Sequence, residues 1–240
     1  MPTPRVGASW VNRAWTDGSG LNKISSDDEV VLVDPADISK EDMDELHAAG
    51  HYLLCYNNAG AWESWRADAD EFPLELRARK LAGWDNEYWW NIIEWDDSEL
   101  KNAHIKRMKW MWEKGCDGLE LDNLDCRSCV DGESKTDLRA KAVENVRWLA
   151  QESNRQCMDA SMKNSIDIFA DVAEHFQMAV NEQCEEYNEC SSYIDYFIDL
   201  GKPVFAVEYT KSWSEADCSF ANNNGISRKY FDESSKYQDC

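Results

Sequence analysis

The stretch Gly115-Cys-Asp-Gly-Leu-Glu-Leu-Asp-Asn-Leu-Asp125 (GCDGLELDNLD) alternates apolar and polar residues and ends in a group of carboxylates. Its first glycine is well placed to end the helical pattern at 98–114. Residues 117–121 then show the alternation of a β-strand. A strand that follows a helix and ends in acidic side chains is typical of β/α proteins, whose functional groups lie at the carboxyl ends of the strands.

Strand-like runs alternate with helical patterns on both sides of this stretch. Strands are predicted at 5–10, 30–33, 52–56, 88–93, 117–121, 157–162, 178–180 and 203–207, and helices at 39–49, 98–114, 136–153, 166–175 and 190–200. This alternation predicts a parallel sheet. Eight units in 240 residues predict an α/β fold of the (β/α)8 TIM-barrel type, with residues 1–240 as one domain. A doubly wound sheet is the alternative.

The charge balance restricts the class of partner. The chain has 47 acidic and 25 basic residues, a formal net charge of −22 at pH 7. This argues against nucleic acid, because phosphate binding needs clustered Lys and Arg, and it favours a cationic substrate. An acidic surface that only maintains solubility is the simpler interpretation. No apolar run of about 20 residues occurs, so no membrane span is expected.

Nine cysteines suggest a compartment in which disulfides persist. Because the first residues lack the features of a signal peptide, we expect either a cytosolic protein or, in view of the cysteines, a secreted one whose signal peptide is absent from this chain. Cys218 and Cys240 flank a polar segment, and 211–240 is predicted to be a disulfide-stapled tail. Cys126 and Cys129 could bridge each other. They lack a second ligand pair, so no metal is expected, and no cofactor.

Polar residues recur where the apolar runs stop. They are Asp34, Asn57, Asn58, Asp122, Asn123, Asp125, Lys163, Asn164, Asn181, Glu182, Glu208 and Tyr209. One such residue is more often a cap or a loop residue, but six successive strand ends predict a common mouth at the carboxyl end of a barrel. Glycoside hydrolysis needs two carboxylates, and Asp122 and Glu182 could face each other there. Lys163 could pair with Glu208 or bind substrate.

Two further features accompany these strand ends. Strand alternation points Glu120 to the same side as Asp122, and clustered acids raise one another's pKa. The chain also has twelve tryptophans, Trp84 among them. Indole faces can stack on sugars or hold cations, although many tryptophans simply pack in cores.

Several segments resemble glycoside hydrolase family 114, in family order from about residue 30 to 210. They are 55–60 (CYNNAG), 63–66 (ESWR) with Asp68, 72–73 (FP), 83–84 (GW) with Glu87 and 89–90 (WW), 114–125, 162–164 (MKN), 181–190 (NEQCEEYNEC) and 201–209 (GKPVFAVEY). The Asp-Asn-x-Asp and Asn-Glu-Gln-Cys motifs are the most specific. The resemblance implies a secreted (β/α)8 barrel similar to endo-α-1,4-polygalactosaminidases, with Asp122 and Glu182 as the catalytic pair and a Cys184–Cys190 disulfide.

Substrate contacts are expected from a wider set of residues. They are Asp34, Tyr56, Asn58, Trp84, Glu87, Asn123, Asp125, Lys163, Asn164, Glu208 and Tyr209. The chain departs from the family pattern at Asn57 and Asn58, where small hydroxyl residues are usual, at Asn91, where an Asp-x-Arg-like end is usual, and in the loop that carries Cys126 and Cys129. The subsites could therefore differ even where the chemistry is kept.

Three functions are consistent with these observations. The leading hypothesis is a monomeric endo-acting hydrolase of α-1,4-linked, cationic galactosamine-rich polysaccharide, with Asp122 as nucleophile or base and Glu182 as acid. The second is a barrel that binds glycan without cutting it. The third is hydrolysis of another α-linked galactosyl polymer. Release of reducing ends separates the first from the second, and product analysis on a substrate panel separates the first from the third.

Overall fold

A computed structural model describes residues 1–14, 24–209, 218–231 and 237–240 of the chain. The strands are β1 (Trp10–Asn12), β2 (Val30–Val33), β3 (Tyr52–Asn58), β4 (Ala61–Glu63), β5 (Arg77–Lys80), β6 (Glu87–Trp90), β7 (Gly118–Asp122), β8 (Asp159–Lys163), β9 (Met178–Glu182), β10 (Val204–Tyr209), β11 (Ser227–Phe231) and β12 (Tyr237–Asp239). The α-helices are α1 (Lys40–Ala49), α2 (Ser98–Lys114), α3 (Lys135–Arg155), α4 (Phe169–Val172), α5 (Cys190–Tyr196) and α6 (Ser219–Asn224).

Eight parallel strands with helices between them form a nearly closed barrel, which confirms the predicted fold. Their order is β1-β2-β3-β7-β8-β9-β10-β11, with β12 antiparallel to β11 at the end of the sheet. The two edges of the barrel meet near β1 and β11. There the Trp10 indole N–H donates to the carbonyl oxygen of Ser227, and the Ser227 hydroxyl donates to the carbonyl oxygen of Ala8. Among the described residues, no helix has the length and apolar character needed to cross a bilayer.

Strand alternation divides the apolar side chains into two layers. Leu54 on β3 packs with Val180 and Phe205 in the barrel interior. Leu53 and Cys55 on the same strand pack outward, with residues of the surrounding helices. The alternation continues to the carboxyl end of β3. There the inward positions become polar, so the filled barrel opens into a polar mouth.

The helix ends follow from local sequence. The Ser39 hydroxyl accepts a hydrogen bond from the backbone N–H of Asp42 and so caps α1. Asp97 caps α2 in the same way, and Gly115 ends it in the left-handed conformation, as the sequence predicts.

Two predicted strands, at 5–10 and 88–93, differ from the observed sheet, in which the first barrel strand lies at Trp10–Asn12. Residues 88–93 do not supply a barrel strand, because β6 pairs antiparallel with β4 and β5 in a separate three-stranded sheet inserted between β3 and α2. The eighth barrel strand is β11, which pairs parallel with β10. It lies inside 211–240, the segment predicted to be a tail, of which 211–217 and 232–236 lie outside the described residues.

Four disulfides link eight of the nine cysteines. The bonds Cys184–Cys190, Cys218–Cys240 and Cys126–Cys129 correspond to the expected pairs. The fourth joins Cys55 on β3 to Cys116, just before β7, and was not predicted. Its cysteines are 61 residues apart in sequence and meet because β3 and β7 are neighbours in the sheet. Cys157 remains a free thiol.

Gly60 is required by a close approach between two loops at the mouth. Its N–H and that of Ala59 donate to the carbonyl oxygen of Asp122, and a Cβ on Gly60 would lie 1.5 Å from the carbonyl oxygen of Asn123. We expect Gly60→Ala to lower the free energy of unfolding by about 3 kcal/mol or more, measured by denaturant titration. Gly132→Ala is the control. Its Cβ meets nothing within 4 Å, so only the positive φ is penalised, by about 1 kcal/mol. Equal losses in the two variants would contradict the steric argument.

Candidate active site

The carboxyl ends of β3, β7, β8 and β9 bring polar side chains together at the mouth. Asn58 is paired with Asp122 across β3 and β7. Lys163 ends β8, and Glu182 ends β9. The residues that follow Asp122 and Lys163 are Asn123 and Asn164, both in the left-handed conformation, which asparagine tolerates better than most residues. These turns begin the loops directly after the strand ends.

Lys163 lies at the centre of a carboxylate cluster that consists of Glu120, Asp122 and Glu182. Its Nζ atom lies 3.4 Å from an oxygen of Glu120, 3.9 Å from one of Asp122 and 3.4 Å from one of Glu182. The Lys163 side chain is 3% exposed, whereas those of Asp122 and Glu182 are 20% and 26% exposed. The cation is therefore buried beneath two carboxylates that solvent can reach.

The electrostatics follow from one cation shared by three acids. Burial acts to lower the pKa of Lys163, but Asp122, Glu120 and Glu182 together raise it well above its usual value, so the ammonium is retained. Burial raises the pKa of Glu120 to about 7, against the opposing effect of Lys163. Burial also acts to raise the pKa of Glu182, but Lys163 and the hydrogen bond from Tyr209 hold it below the ordinary value.

Hydrogen bonds orient the carboxylate of Asp122. The Tyr56 hydroxyl donates to its Oδ2 atom at 3.0 Å, and the Asn123 amide donates to the same oxygen at 3.4 Å. The amide of Asn123 also donates to Asn58 Oδ1 at 2.9 Å. Asn58 in turn donates to Glu87 at 3.1 Å. Asp122 is thus held by side chains from its own strand end and from β3.

A second set of hydrogen bonds holds Glu182. The Tyr209 hydroxyl donates to its Oε1 atom. The Asn164 side chain donates to Oε2 at 3.5 Å and accepts from the backbone N–H of Glu182 at 2.8 Å. Asn181 donates to the same Asn164 oxygen at 3.2 Å and to the Tyr193 hydroxyl at 2.8 Å. The orientation of Glu182 therefore depends on β8, β9 and β10 together.

A second acidic group extends from Asn58 toward β2. Glu63 and Glu87 are cross-strand partners in the small sheet, and both are buried. Burial, with the neighbouring charge of Glu63, raises the pKa of Glu87 to about 7. Arg66 donates to both oxygens of Glu63 and to both oxygens of Asp34. Asp34 is therefore brought to this part of the molecule by an arginine from the inserted segment.

The other expected substrate contacts are spread more widely. Asp125 follows β7, and its oxygen lies 3.2 Å from Arg127. Burial raises the pKa of Asp125. Trp84 is exposed in a turn between β5 and β6. Glu208 is buried and accepts from the backbone N–H of Glu185 at 2.8 Å, so it anchors the loop after β9, whereas the next residue, Tyr209, contacts Glu182.

Sequence reasoning left three residues of this region out of the expected site. Glu120, which strand alternation places on the same side as Asp122, contacts Lys163 inside the barrel. Glu63 and Arg66 belong to the inserted segment. They follow no barrel strand, so the strand-end rule could not identify them.

The arrangement can support two-carboxylate chemistry. Because the nearest oxygens of Asp122 and Glu182 lie within 4.0 Å of one nitrogen, they are within roughly 7 Å of each other. That upper bound includes the separation of about 5 Å between the two carboxyl groups of retaining glycoside hydrolases. It also includes the lower end of the range of about 6.5–9.5 Å found in inverting ones. A sugar bound at the mouth could contact both carboxylates while the ammonium of Lys163 remains below.

The chain is similar to one protein family and to several solved structures. The model of the glycoside-hydrolase family GH114 matches residues 1–237. Comparison with curated proteins gives no match. Among solved structures, Aspergillus fumigatus Ega3 in complex with galactosamine has 30% sequence identity and a TM-score of 0.83, over 99% of this chain and 97% of that chain.

Two more distant structures share the fold alone. The glycoside hydrolase domain of PelA from Pseudomonas aeruginosa has 14% identity and a TM-score of 0.75, over 99% of this chain and 98% of that chain. A trehalulose synthase, MutB, has 8% identity and a TM-score of 0.58, over 84% of this chain and 57% of that chain.

Proposed function

The chain belongs to glycoside hydrolase family GH114, and from this premise we propose that it hydrolyses internal α-1,4 linkages in a galactosamine-rich polysaccharide with Asp122 and Glu182 as the catalytic pair. The observation that carries the proposal is the position of these two carboxylates. Both are part-exposed at the mouth, and both contact the buried ammonium of Lys163. The similarity to Ega3, which was solved with galactosamine, supports the choice of sugar.

The two carboxylates have different roles in this proposal. Asp122 attacks the anomeric carbon or activates a water molecule, held in place by Tyr56 and Asn123. Glu182 protonates the leaving oxygen. Lys163 is too deeply buried to be a main substrate contact, so we assign it a positioning role. Its charge offsets the repulsion that would otherwise separate the acids.

The remaining polar residues form the proposed substrate-binding surface. Tyr209 and Asn164 surround Glu182, and Asn123 and Asp125 follow Asp122. Trp84 offers an exposed indole on the inserted sheet, which can stack on a sugar face or a bound amine. We also propose that the protein acts as a monomer.

Charge supports a cationic polymer as substrate. Deacetylated galactosamine units carry amines, and a protein of net charge −22 attracts a polycation at low ionic strength. We also propose that the protein acts outside the cell, because its four disulfides persist in oxidising compartments.

The direct test is the release of reducing ends from α-1,4-polygalactosamine by purified protein at low and moderate salt. We expect release that falls as salt rises, because screening weakens long-range attraction. Saturable binding without new reducing ends would instead identify a glycan-binding barrel. Release from a different α-linked galactosyl polymer alone would keep the reaction class and change the substrate.

The pH dependence separates the roles of the two carboxylates. Lys163 and Tyr209 lower the pKa of Glu182. As pH rises, Glu182 therefore loses its proton at a lower pH than an ordinary glutamate does. If Glu182 is the acid, kcat/KM should fall as pH increases from about 4 to 7. Tyr209→Phe removes one hydrogen bond to the ionised form, so the fall should move to higher pH. A kcat/KM that rises over this range would assign the ionised role to Glu182.

A further inference from the structure

The side chain of Asn58 links the inserted three-stranded sheet to the mouth of the barrel. Asn58 ends β3 and is 1% exposed. Its Oδ1 atom accepts from the backbone N–H of Ala61 at 3.1 Å and from the Asn123 amide at 2.9 Å. Its Nδ2 atom donates to Glu87 Oε2 at 3.1 Å. One buried carboxamide therefore connects β4 and β6 of the insertion with the loop after β7.

The orientation of the Asn58 carboxamide follows from its partners. A backbone N–H can only donate, so the Asn58 atom that faces Ala61 is the oxygen. The nitrogen then faces Glu87, which accepts from it. Glu87 has an acceptor oxygen whether or not its carboxyl group carries a proton. The hydrogen bond between Asn58 and Glu87 is therefore available in both protonation states.

The amide nitrogen of Asn123 connects Asn58 to Asp122. It donates to two acceptors, Asn58 Oδ1 at 2.9 Å and Asp122 Oδ2 at 3.4 Å. If the Asn58 carboxamide were rotated by half a turn, two NH2 groups would face each other, and two donors cannot form a hydrogen bond. The position of the Asn123 amide, and with it one hydrogen bond to Asp122, thus depends on the orientation of Asn58.

Glu87 is held in place by the inserted sheet. It is the cross-strand partner of Glu63, and its carbonyl oxygen accepts from the backbone N–H of Leu81 at 2.9 Å. The insertion is itself bonded to the end of β7, because the N–H of Gly60 donates to the carbonyl oxygen of Asp122 at 3.0 Å. Since Glu87 is 4% exposed, any effect that it has on a bound sugar has to pass through other side chains.

We propose that Glu87 is a positioning residue, which holds Asp122 in its reactive orientation through Asn58 and Asn123. The inserted sheet, which supplies no strand to the barrel, thereby takes part in building the active site. This inference rests on the proposed function for the role of Asp122, and it deepens that function. The link is a hydrogen bond and not the charge of Glu87, so an uncharged acceptor of the same size should replace it.

The kinetics of reducing-end release from α-1,4-polygalactosamine test this link. Glu87→Leu removes the acceptor, and we expect kcat to fall about tenfold or more because a misoriented carboxylate slows the chemical step. KM should stay within about twofold, since the surface that binds the polymer is kept. Glu87→Gln keeps an acceptor oxygen and should recover most of the loss in kcat. Glu75→Leu, at an exposed position of the same insertion, is the control and should match the wild type.

A double-mutant cycle tests the path from Glu87 to Asp122. Asn58→Ser removes the amide that donates to Glu87. In this background Glu87→Leu should lower kcat no further, because both substitutions interrupt the same chain of hydrogen bonds. If the two losses were additive, Glu87 would act by a route that does not include Asn58.

The side-chain NH2 signals of Asn123 report on the link without any measurement of activity. They are identified in a proton–nitrogen NMR spectrum by their loss in Asn123→Asp. We expect them to move in Glu87→Leu and to keep their wild-type positions in Glu87→Gln and Glu75→Leu. Glu87→Met, a second variant of similar length without an acceptor, should behave as Glu87→Leu does. The backbone signals of the barrel strands verify that each variant is folded.

Three results would overturn the inference. They are a Glu87→Leu variant in which either kcat or the Asn123 signals are unchanged, a Glu87→Gln variant that loses as much as Glu87→Leu does, and additive losses at Glu87 and Asn58. If the wild type releases no reducing ends, the proposed function fails. The Asn123 signals then still decide whether Glu87 orients the side chains around Asp122.

Discussion

Asp122→Asn is expected to reduce the release of reducing ends from α-1,4-polygalactosamine by at least about 10³-fold. The amide keeps the size of the carboxylate and can still accept the hydrogen bond from Tyr56. It cannot act as the nucleophile or take a proton from water. Because Asp122 is partly exposed, the fold should be retained.

Glu182→Gln should give a loss of similar size, because an amide cannot donate a proton to the leaving oxygen. Asp44→Asn and Glu174→Gln make the same chemical changes on exposed side chains, and we expect wild-type rates from both. Rates are measured on folded protein, verified by circular dichroism. If the Asp122 and Glu182 variants cleaved the polymer at the wild-type rate, the assignment of the pair would be wrong.

The anomeric form of the first product completes this test. The bound of roughly 7 Å between the carboxylate oxygens includes the distance typical of retention and part of the range typical of inversion. Proton NMR during the first minutes of the reaction distinguishes the two outcomes. Retention would make Asp122 the nucleophile, and inversion would make it the base that activates water.

Six of the eight barrel strands, β2, β3, β7, β8, β9 and β10, could be predicted because each is an apolar run that ends in polar residues. The first strand, predicted at 5–10, lies at Trp10–Asn12. The eighth, β11, reads Ser-Arg-Lys-Tyr-Phe and has no such run. Arg228 is buried there because it pairs with Glu185 and donates to the sulfur of Cys190 at 3.1 Å. A pattern of hydropathy cannot reveal an ion pair formed with another loop.

The prediction of a strand at 88–93 failed for the opposite reason. These residues are aromatic and aliphatic, and β6 does form there. However, its partners β4 and β5 are local and antiparallel. Hydropathy indicates that a strand is buried on one face, and it does not specify the sheet that the strand joins.

The strand-end rule predicted which side chains meet at the mouth better than it predicted the residues that support them. Asp122, Lys163 and Glu182 each end a barrel strand, and the structure brings all three together. The rule could not separate Tyr209, which contacts Glu182, from its neighbour Glu208, which anchors a loop. That difference depends on which face of β10 each side chain occupies.

Lys163→Met is expected to have the largest effect on stability, a loss of about 3–5 kcal/mol in the free energy of unfolding. The substitution leaves the buried Glu120 and the two part-exposed acids without the cation that they share. Reducing-end release should also fall sharply, because repulsion would move Asp122 and Glu182 apart. Lys141→Met, which removes an exposed lysine paired with Glu144, should change stability by less than about 1 kcal/mol.

The pH dependence of this loss identifies its cause. The pKa of Glu120 is raised to about 7 in the folded protein, so between its ordinary value and 7 the folded state binds more protons than the unfolded state. Stability from this group therefore falls as pH rises. Without Lys163 the pKa of Glu120 should rise further, and the variant should lose more stability at pH 8 than at pH 5. Adding Glu120→Gln should restore part of the loss at pH 8, since it removes a buried charge and keeps the shape. A loss independent of pH and unchanged by Glu120→Gln would indicate that Lys163 acts only through packing of its alkyl chain.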